Sequence, residues 1–243
     1  MARTPIWKSI ATALKQEITK GHYAPGDKLP TESALAARFG VNRHTVRHAI
    51  SSLAEEDLLF SRRGAGVFVT QVPTEYPIGK RVRFHQNLLS AGHVPAKEIL
   101  SLETRPANDV ERRALVLQPG DLVHVYDGLS LSDGQPIAVF TSVFPAARFP
   151  NLPRDLRKSK SVTSALKQGG VADYIRTTTR LEAKLATAVQ ALQLQIREGA
   201  PILQTIGVNV DPDGQPVELG NSWFAGDRIT LTLNTSTGET SDD

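Results

Sequence analysis

The sequence predicts an α+β protein of two domains, and three observations carry that reading. Residues 30–70 run through a helix, a tight turn, a basic helix and a glycine-interrupted strand pair. The pentapeptide Asp133-Gly134-Gln135-Pro136-Ile137 returns almost unchanged as Asp213-Gly214-Gln215-Pro216-Val217. Between these regions Gln71–Lys80, with Pro73 and Pro77, breaks both strand and helix and reads as a linker. The expected organisation is a first domain over 1–72, a linker over 73–80, a second domain over 81–235 and a disordered polar tail over 236–243.

The elements follow in order. From Pro5 to Lys20, Ile6, Ile10, Leu14 and Ile18 recur about every fourth residue, an amphipathic helix ended by Gly21. Trp7 on that helix is either core or a stacking face for a neighbouring chain. After the turn-rich His22–Asp27, Pro30 stops any incoming helix. Thr31 can then cap a new one, with Glu32 and Ser33 at its positive end. Leu35, Ala36 and Phe39 give this helix one buried stripe, and Gly40 supplies the left-handed residue that ends it. Asn42 caps the next helix, where Val46, Ile50 and Leu53 face inward and leave Arg43, His44, Thr45, Arg47 and His48 outward. Leu58–Phe60 and Val67–Val69 read as strands around a tip of Ser61, Arg62, Arg63, Gly64, Ala65 and Gly66.

Such a helix fits the major groove of duplex DNA, where Arg pairs with guanine and Thr meets base edges or phosphate. A solvated basic face is the alternative for an isolated helix. The adjoining tip, with two Arg next to flexible Gly, can approach a phosphate backbone closely and favours the DNA reading. This is the layout of a winged helix-turn-helix. Charge is placed to match: through Val72 there are ten Lys and Arg against six Asp and Glu, and after it eighteen against nineteen. Zero Cys among 243 residues excludes disulfides and thiolate metal sites. No apolar run approaches about 18 residues and no signal-peptide core opens the chain, so a cytoplasmic protein without membrane contact is expected.

In the second domain Phe84–Leu89 suggests a short helix ending at Gly92. Each Asp-Gly pentapeptide is preceded by an extended segment and, before that, by a short helix, Asp109–Leu117 or Thr187–Ile196, with a glycine turn after it. The order reads as two copies of helix, turn, strand, hairpin, strand, although Asp-Gly alone favours hairpin turns anywhere. With Ala172–Thr187 as a further strand and Ile229–Leu233 as the last, one antiparallel sheet carrying helices is expected. A pocket for a small anion needs convergent donors at this sheet. The candidates are Arg81, Arg83 and His85 around the first helix, Thr141 and Ser142 after the first hairpin turn, and Glu218, Ser222 and Arg228 near the last strands. Arg176 and Thr178 join them, because alternation along Tyr174–Ala183 sets Arg176, Thr178 and Arg180 on one face. His85 and His93 are too isolated to argue a metal, and no motif calls for a cofactor. Catalysis is the rival class, resting on acid chemistry by Glu218 and a facing Arg; no nucleophile elbow, phosphate loop or HExxH joins it.

The first domain resembles the DNA-binding domain of the GntR family of bacterial repressors. Leu29-Pro30-Thr31-Glu32, Leu35-Ala36, Phe39, Val41-Asn42-Arg43, Thr45-Val46-Arg47 and Gly64-Ala65-Gly66 fill its pattern in order. The resemblance implies DNA contacts by Arg43, Thr45 and Arg47 with His44 close by, and by Arg63 and Gly64 of the wing. Where some members carry a further DNA-contacting Arg, this chain has Ser33. The second domain resembles the UTRA effector domain of the HutC branch, which has the fold of chorismate lyase. Within that branch Arg83-Phe84-His85-Gln86-Asn87-Leu88-Leu89 and Asn42-Arg43-His44-Thr45 look most like regulators of phosphonate uptake and breakdown. The resemblance thus implies a non-enzymatic, ligand-responsive repressor binding double-stranded, palindromic operator DNA as a homodimer. Its effector would be a small anionic metabolite: a phosphonate, phosphate ester or carboxylate. Other HutC pathways, of sugar phosphates, amino sugars or histidine, are the alternative, as is a second domain that only dimerises. Sugar-phosphate sensors of the branch carry Arg on the strand before the first Asp-Gly turn, and Gly128 and Ser130 stand there here.

Overall fold

The computed structural model of the protein describes residues 5–62, 64–70, 73–79 and 84–233. The chain divides into two compact units, Met1–Val72 and Pro73–Asp243. The first holds α1 (Ile6–Thr19), α2 (Glu32–Phe39), α3 (Arg43–Glu55), β1 (Leu59–Arg62) and β2 (Gly66–Val69). The Thr31 hydroxyl accepts the Ala34 N–H at 3.2 Å to start α2, and Gly40 ends it at φ 64°. Asn42 Oδ1 accepts the Thr45 N–H at 2.8 Å and starts α3. Leu14, Leu35, Val46, Leu53, Leu59 and Val69 form the core. Ile6 is 62% exposed, so the buried stripe of α1 begins only at Ile10. Trp7 packs on this core and stacks on His48, ring centroids 4.2 Å apart. The wing tip is shorter than expected: β1 and β2 remain paired to Arg62 opposite Gly66, which puts Ser61 and Arg62 in the strand. Left-handed Gly64 at φ 74° lets the chain reverse so tightly.

The second unit contains β3 (Thr74–Pro77), α4 (Phe84–Ser90), β4 (Pro95–Pro106), α5 (Asp109–Leu115), β5 (Leu122–Ser132) and β6 (Gln135–Pro145). There follow α6 (Leu152–Ser159), α7 (Val162–Gln168), β7 (Ile175–Leu185), α8 (Ala188–Leu194), β8 (Pro201–Val210), β9 (Pro216–Ala225) and β10 (Ile229–Thr232). Six strands form one antiparallel sheet in the order β4-β5-β6-β9-β8-β7. The repeat is therefore larger than the sequence showed: each copy is strand, helix, strand, hairpin, strand, and the copies lie back to back about the β6–β9 pair. Thr141 faces Asn221 at the centre of that ladder, at the same remove beyond the two Asp-Gly turns. Both repeat helices open with a capping box, Asn108 with Glu111 and Thr187 with Gln190, and both end on a left-handed non-glycine residue, Val116 and Gln195.

Two expectations are corrected. Thr74–Pro77 is not linker but strand, paired parallel with β10, because Tyr76 and Ile78 bury beside Ile229 in one apolar cluster. Pro77 is tolerated at the strand's end, and Pro73 precedes it. For the same reason β10 does not close the main sheet but forms a separate two-stranded layer with β3. The face of the sheet that carries Phe140 and Ser142 is covered in two parts. On one side α6 and α7 pack through Leu152, Leu156, Val162 and Leu166 against Tyr126 and Phe144. On the other, β3, α4 and β10 pack through Tyr76, Leu88 and Ile229 against Ile137 and Phe224. The opposite face is covered by α8 against Leu129, Val139 and Ile202, and by α5 against Val123 and Val143. The tail expected to be disordered lies outside the described residues.

Candidate functional site

On α3, Arg43, His44 and Arg47 are exposed. Thr45 is held by the cap, its hydroxyl donating to Asn42 Oδ1 at 2.9 Å as well as its N–H. Arg47 is presented rather than free: Nε donates to Glu32 Oε1 at 3.0 Å and Nη2 to Glu32 Oε2 at 2.7 Å. This paired hydrogen bond holds the Glu32 carboxyl below the usual carboxylate range. It ties α3 to the start of α2. His48 is occupied by the Trp7 stack. Thr31 is committed to its cap, Ser33 is exposed in the first turn of α2, and Gly64 sits exposed at the wing tip. Arg63, and the side chain of Arg62, lie outside the described residues.

In the second unit a cavity of about 290 Å³ opens between the two covers of the sheet. Tyr76, Phe84 and Gln86 line it from β3 and α4, Ser161 and Thr163 from the start of α7, and Lys97, Ser142, Arg176, Asn209, Glu218 and Ser222 from the sheet. The sheet residues fall into two related halves. Lys97 on edge strand β4 pairs with Ser130, and Arg176 on the opposite edge strand β7 pairs with Asn209, so each copy of the repeat brings one cation to the same face. Two glycines make this close packing feasible. A side chain on Gly128 would meet the Glu98 carbonyl and the Phe140 ring at 2.6 Å; one on Gly207 would meet the Thr178 carbonyl at 2.6 Å and the Arg176 side chain at 2.9 Å.

The charges are held differently. Arg176 Nε donates to Asn209 Oδ1 at 3.1 Å, and Asn209 Nδ2 donates in turn to Glu218 Oε2 at 2.6 Å. The Ser142 hydroxyl donates to Glu218 Oε1 at 2.6 Å, and Glu218 as a residue is 6% exposed. Lys97 Nζ lies over the Phe140 ring, 4.4 Å from its centroid, and 5.3 Å from that of Phe84. Burial pulls the Lys97 ammonium down to about 8, against the opposing pull of Glu218.

Of the residues expected to bind an effector, Ser142, Arg176, Glu218 and Ser222 line this cavity together. Thr178 does not, because a bulge between Arg176 and Thr178 breaks the strand alternation and turns Thr178 to the other face. Thr141 also faces away and donates to Asp127 Oδ1 at 2.6 Å. Arg228 is buried elsewhere, its guanidinium spent on the carbonyls of Pro136, Leu194 and Gln195, where it closes the end of α8. Arg81 and Arg83, and the side chain of His85, lie outside the described residues. His93 is engaged structurally: Nδ1 donates to Asp133 Oδ2 at 2.6 Å and Nε2 meets Thr74 Oγ1 at 3.1 Å. His124 is a buried structural histidine whose Nε2 meets the Phe149 carbonyl at 3.2 Å, its pKa lowered by burial. Sequence reasoning missed Lys97, Tyr76, Asn209 and Thr163. Lys97 shares the Pro95 and Ile99 face of a strand, two residues from each, but nothing local marks that face as the inner one; Ser161 before Val162 and Leu166 is a cap signal that could have placed α7.

The family model for bacterial regulatory proteins, gntR family, matches residues 7–69, and that for the UTRA domain matches residues 90–230. The chain is a GntR-family transcriptional regulator with a UTRA domain. It is 36% identical over 230 residues to "Probable transcriptional regulator PhnF" of Escherichia coli (strain K12), covering 93% of this chain and 94% of that one. It is 31% identical over 234 residues to the mannosyl-D-glycerate transport/metabolism system repressor MngR of the same strain, at 96% and 97% coverage. Among solved structures, PhnF from Mycobacterium smegmatis shares the fold with a TM-score of 0.65 at 24% identity, covering 94% of this chain and 99% of that one. In this family the GntR domain binds DNA and the UTRA domain binds small-molecule effectors. No helix among the described residues is long and apolar enough to cross a membrane.

Proposed function

We propose that this GntR/UTRA regulator is a repressor that binds a palindromic operator as a homodimer and is controlled by a small organic anion, with phosphonates the favoured class. The observation that carries the reading is the cavity to which both copies of the repeat bring a cation, Lys97 and Arg176. Two cations beside hydroxyls and amides suit a phosphonate, phosphate ester or carboxylate. Similarity to PhnF supports the phosphonate class. The 31% identity to MngR and the 29% identity to the repressor NagR of Bacillus subtilis favour a second reading, control of another catabolic pathway by a different anion.

Control would follow from differential affinity. The cavity contains Tyr76 of β3, the first strand after the DNA-binding unit in the chain, so an occupant touches the segment through which that unit is attached. A ligand that prefers one placement of β3 shifts the population of DNA-binding states by that preference alone. The test is a gel shift on the protein's own promoter fragment, with and without phosphonates, phosphate esters and carboxylates. Loss of the shifted band with one class supports the reading. Failure to bind the promoter in the absence of any metabolite would overturn it.

A further inference from the structure

Lys97 and Glu218 carry opposite charges into one cavity, and among the described residues neither makes an ion pair. Among the described residues the donors to Glu218 are the neutral Ser142 hydroxyl and Asn209 amide, two against a carboxylate's roughly four acceptor sites. Lys97 is held by two aromatic faces. A buried charge without a direct ion-pair partner is costly, and Glu218, at 6% exposure, gains from a cation in contact with it. The repeat shows where such partners fit. Lys97 and Arg176 occupy equivalent edge-strand places, so the two cations are a feature of both halves. The carboxylate belongs to one half only: Ala138 and Phe140 line the first half where Glu218 and Gly220 line the second. Gly220 lets the Arg176 guanidinium close onto the strand beside Glu218: a Cβ there would meet Arg176 Nη2 at 3.3 Å and Glu218 Oε1 at 3.8 Å.

We propose that the effector is a zwitterion, a small molecule whose anionic group lies between Lys97 and Arg176 and whose ammonium group docks on the Glu218 carboxylate. This rests on the reading of the cavity as the effector site and adds the second charge. A simple dianion would meet both cations but would be repelled by Glu218, and an uncharged hydroxyl would reach Glu218 with a weaker hydrogen bond than an ammonium. The cavity volume of about 290 Å³ suits a molecule of this small kind.

Titration calorimetry on the full chain separates the possibilities with a matched set: 2-aminoethylphosphonate, 2-hydroxyethylphosphonate and ethylphosphonate, with O-phosphoethanolamine to distinguish a phosphonate from a phosphate ester. The amino compounds are expected to bind about ten- to a hundredfold more tightly than the hydroxyl and alkyl compounds, the span of a hydrogen bond to a charged group. Glu218→Gln should remove that preference, and Lys97→Met should weaken amino and alkyl compounds alike. Equal binding of the three phosphonates by the wild type, which needs no variant to fold, overturns the zwitterion and leaves the anion site standing. Survival of the preference in Glu218→Gln does the same. Binding of none of the four overturns the phosphonate and phosphate-ester classes, and the zwitterion with them.

Discussion

Under the proposed ligand control, Lys97 is a cavity cation whose charge depends on its surroundings. Its ammonium is lowered to about 8 by burial, while among the described residues Arg176, Glu218, Tyr76 and Tyr174 are the other ionisable groups lining the cavity, and burial keeps Tyr76 neutral. An anion requires the charged form, so its affinity should be full below about pH 8. It should fall by up to tenfold per pH unit as pH rises through that value. Calorimetry from about pH 6.5 to about pH 9.5 checks this, and Lys97→Arg, whose charge does not titrate there, should flatten the profile. Gly207 is the neighbouring control: Gly207→Ala drives a Cβ against the Thr178 carbonyl and the Arg176 side chain. We expect about 1–3 kcal/mol of destabilisation and a weakened response to ligand, read by thermal melts with and without it. In the other unit Arg47 is bound to Glu32, so Arg47→Ala should weaken operator binding while the melting midpoint changes little. A gel shift of wild-type affinity would remove Arg47 from the interface.

At the scale of the element, α3 depends on one side chain. Asn42 holds both the N–H and the hydroxyl of Thr45, so Asn42→Ala should cost about 1 kcal/mol of stability and loosen the helix end that carries Arg43 and His44. Chemical denaturation measures the first effect and operator affinity the second. Element α8 depends on a residue remote in sequence. Arg228→Met would strip the carbonyls of Pro136, Leu194 and Gln195 of their donor, and a buried acceptor left unpaired costs about 1–3 kcal/mol. A second unit that melts at the wild-type midpoint in this variant would show that the guanidinium is dispensable. Among the described residues strand β3 pairs with β10 alone, whose Ile229 is 2% exposed, so its place as a strand rests on apolar burial rather than on local propensity.

For the whole molecule the positive charge is concentrated in one unit, with ten Lys and Arg against six Asp and Glu through Val72. Operator binding should therefore weaken steeply with salt, linearly in log Kd against log salt, with a slope that counts the phosphates neutralised. A slope near zero would mean that the basic unit does not meet the backbone. Ligand should act on the other unit, raising its melting midpoint by mass action, by about 2.7 kcal/mol of apparent stability at a hundred times Kd. Half-site separation of about 34 Å is the geometric expectation for a dimer reading one face of DNA.

The sequence by itself determined what is local. Thr31, Gly40, Asn42 and the Val46, Ile50, Leu53 stripe specify the helix-turn-helix, because caps and helical periodicity act between residues a few positions apart. The two Asp-Gly turns likewise disclosed the repeat, and Ser142, Arg176, Glu218 and Ser222 were legible as candidates from their strands. Only the tertiary structure decided which of these residues converge. The bulge after Arg176 reverses the side-chain alternation, so Thr178 leaves the face that Arg176 keeps, and no local pattern announces it. Lys97 joins Glu218 because strands distant in the chain are laid back to back, and β3 becomes a strand because β10 arrives beside it. Such placements depend on pairings between remote segments, whose energies are settled by the burial of shared apolar surface rather than by the propensity of either segment alone.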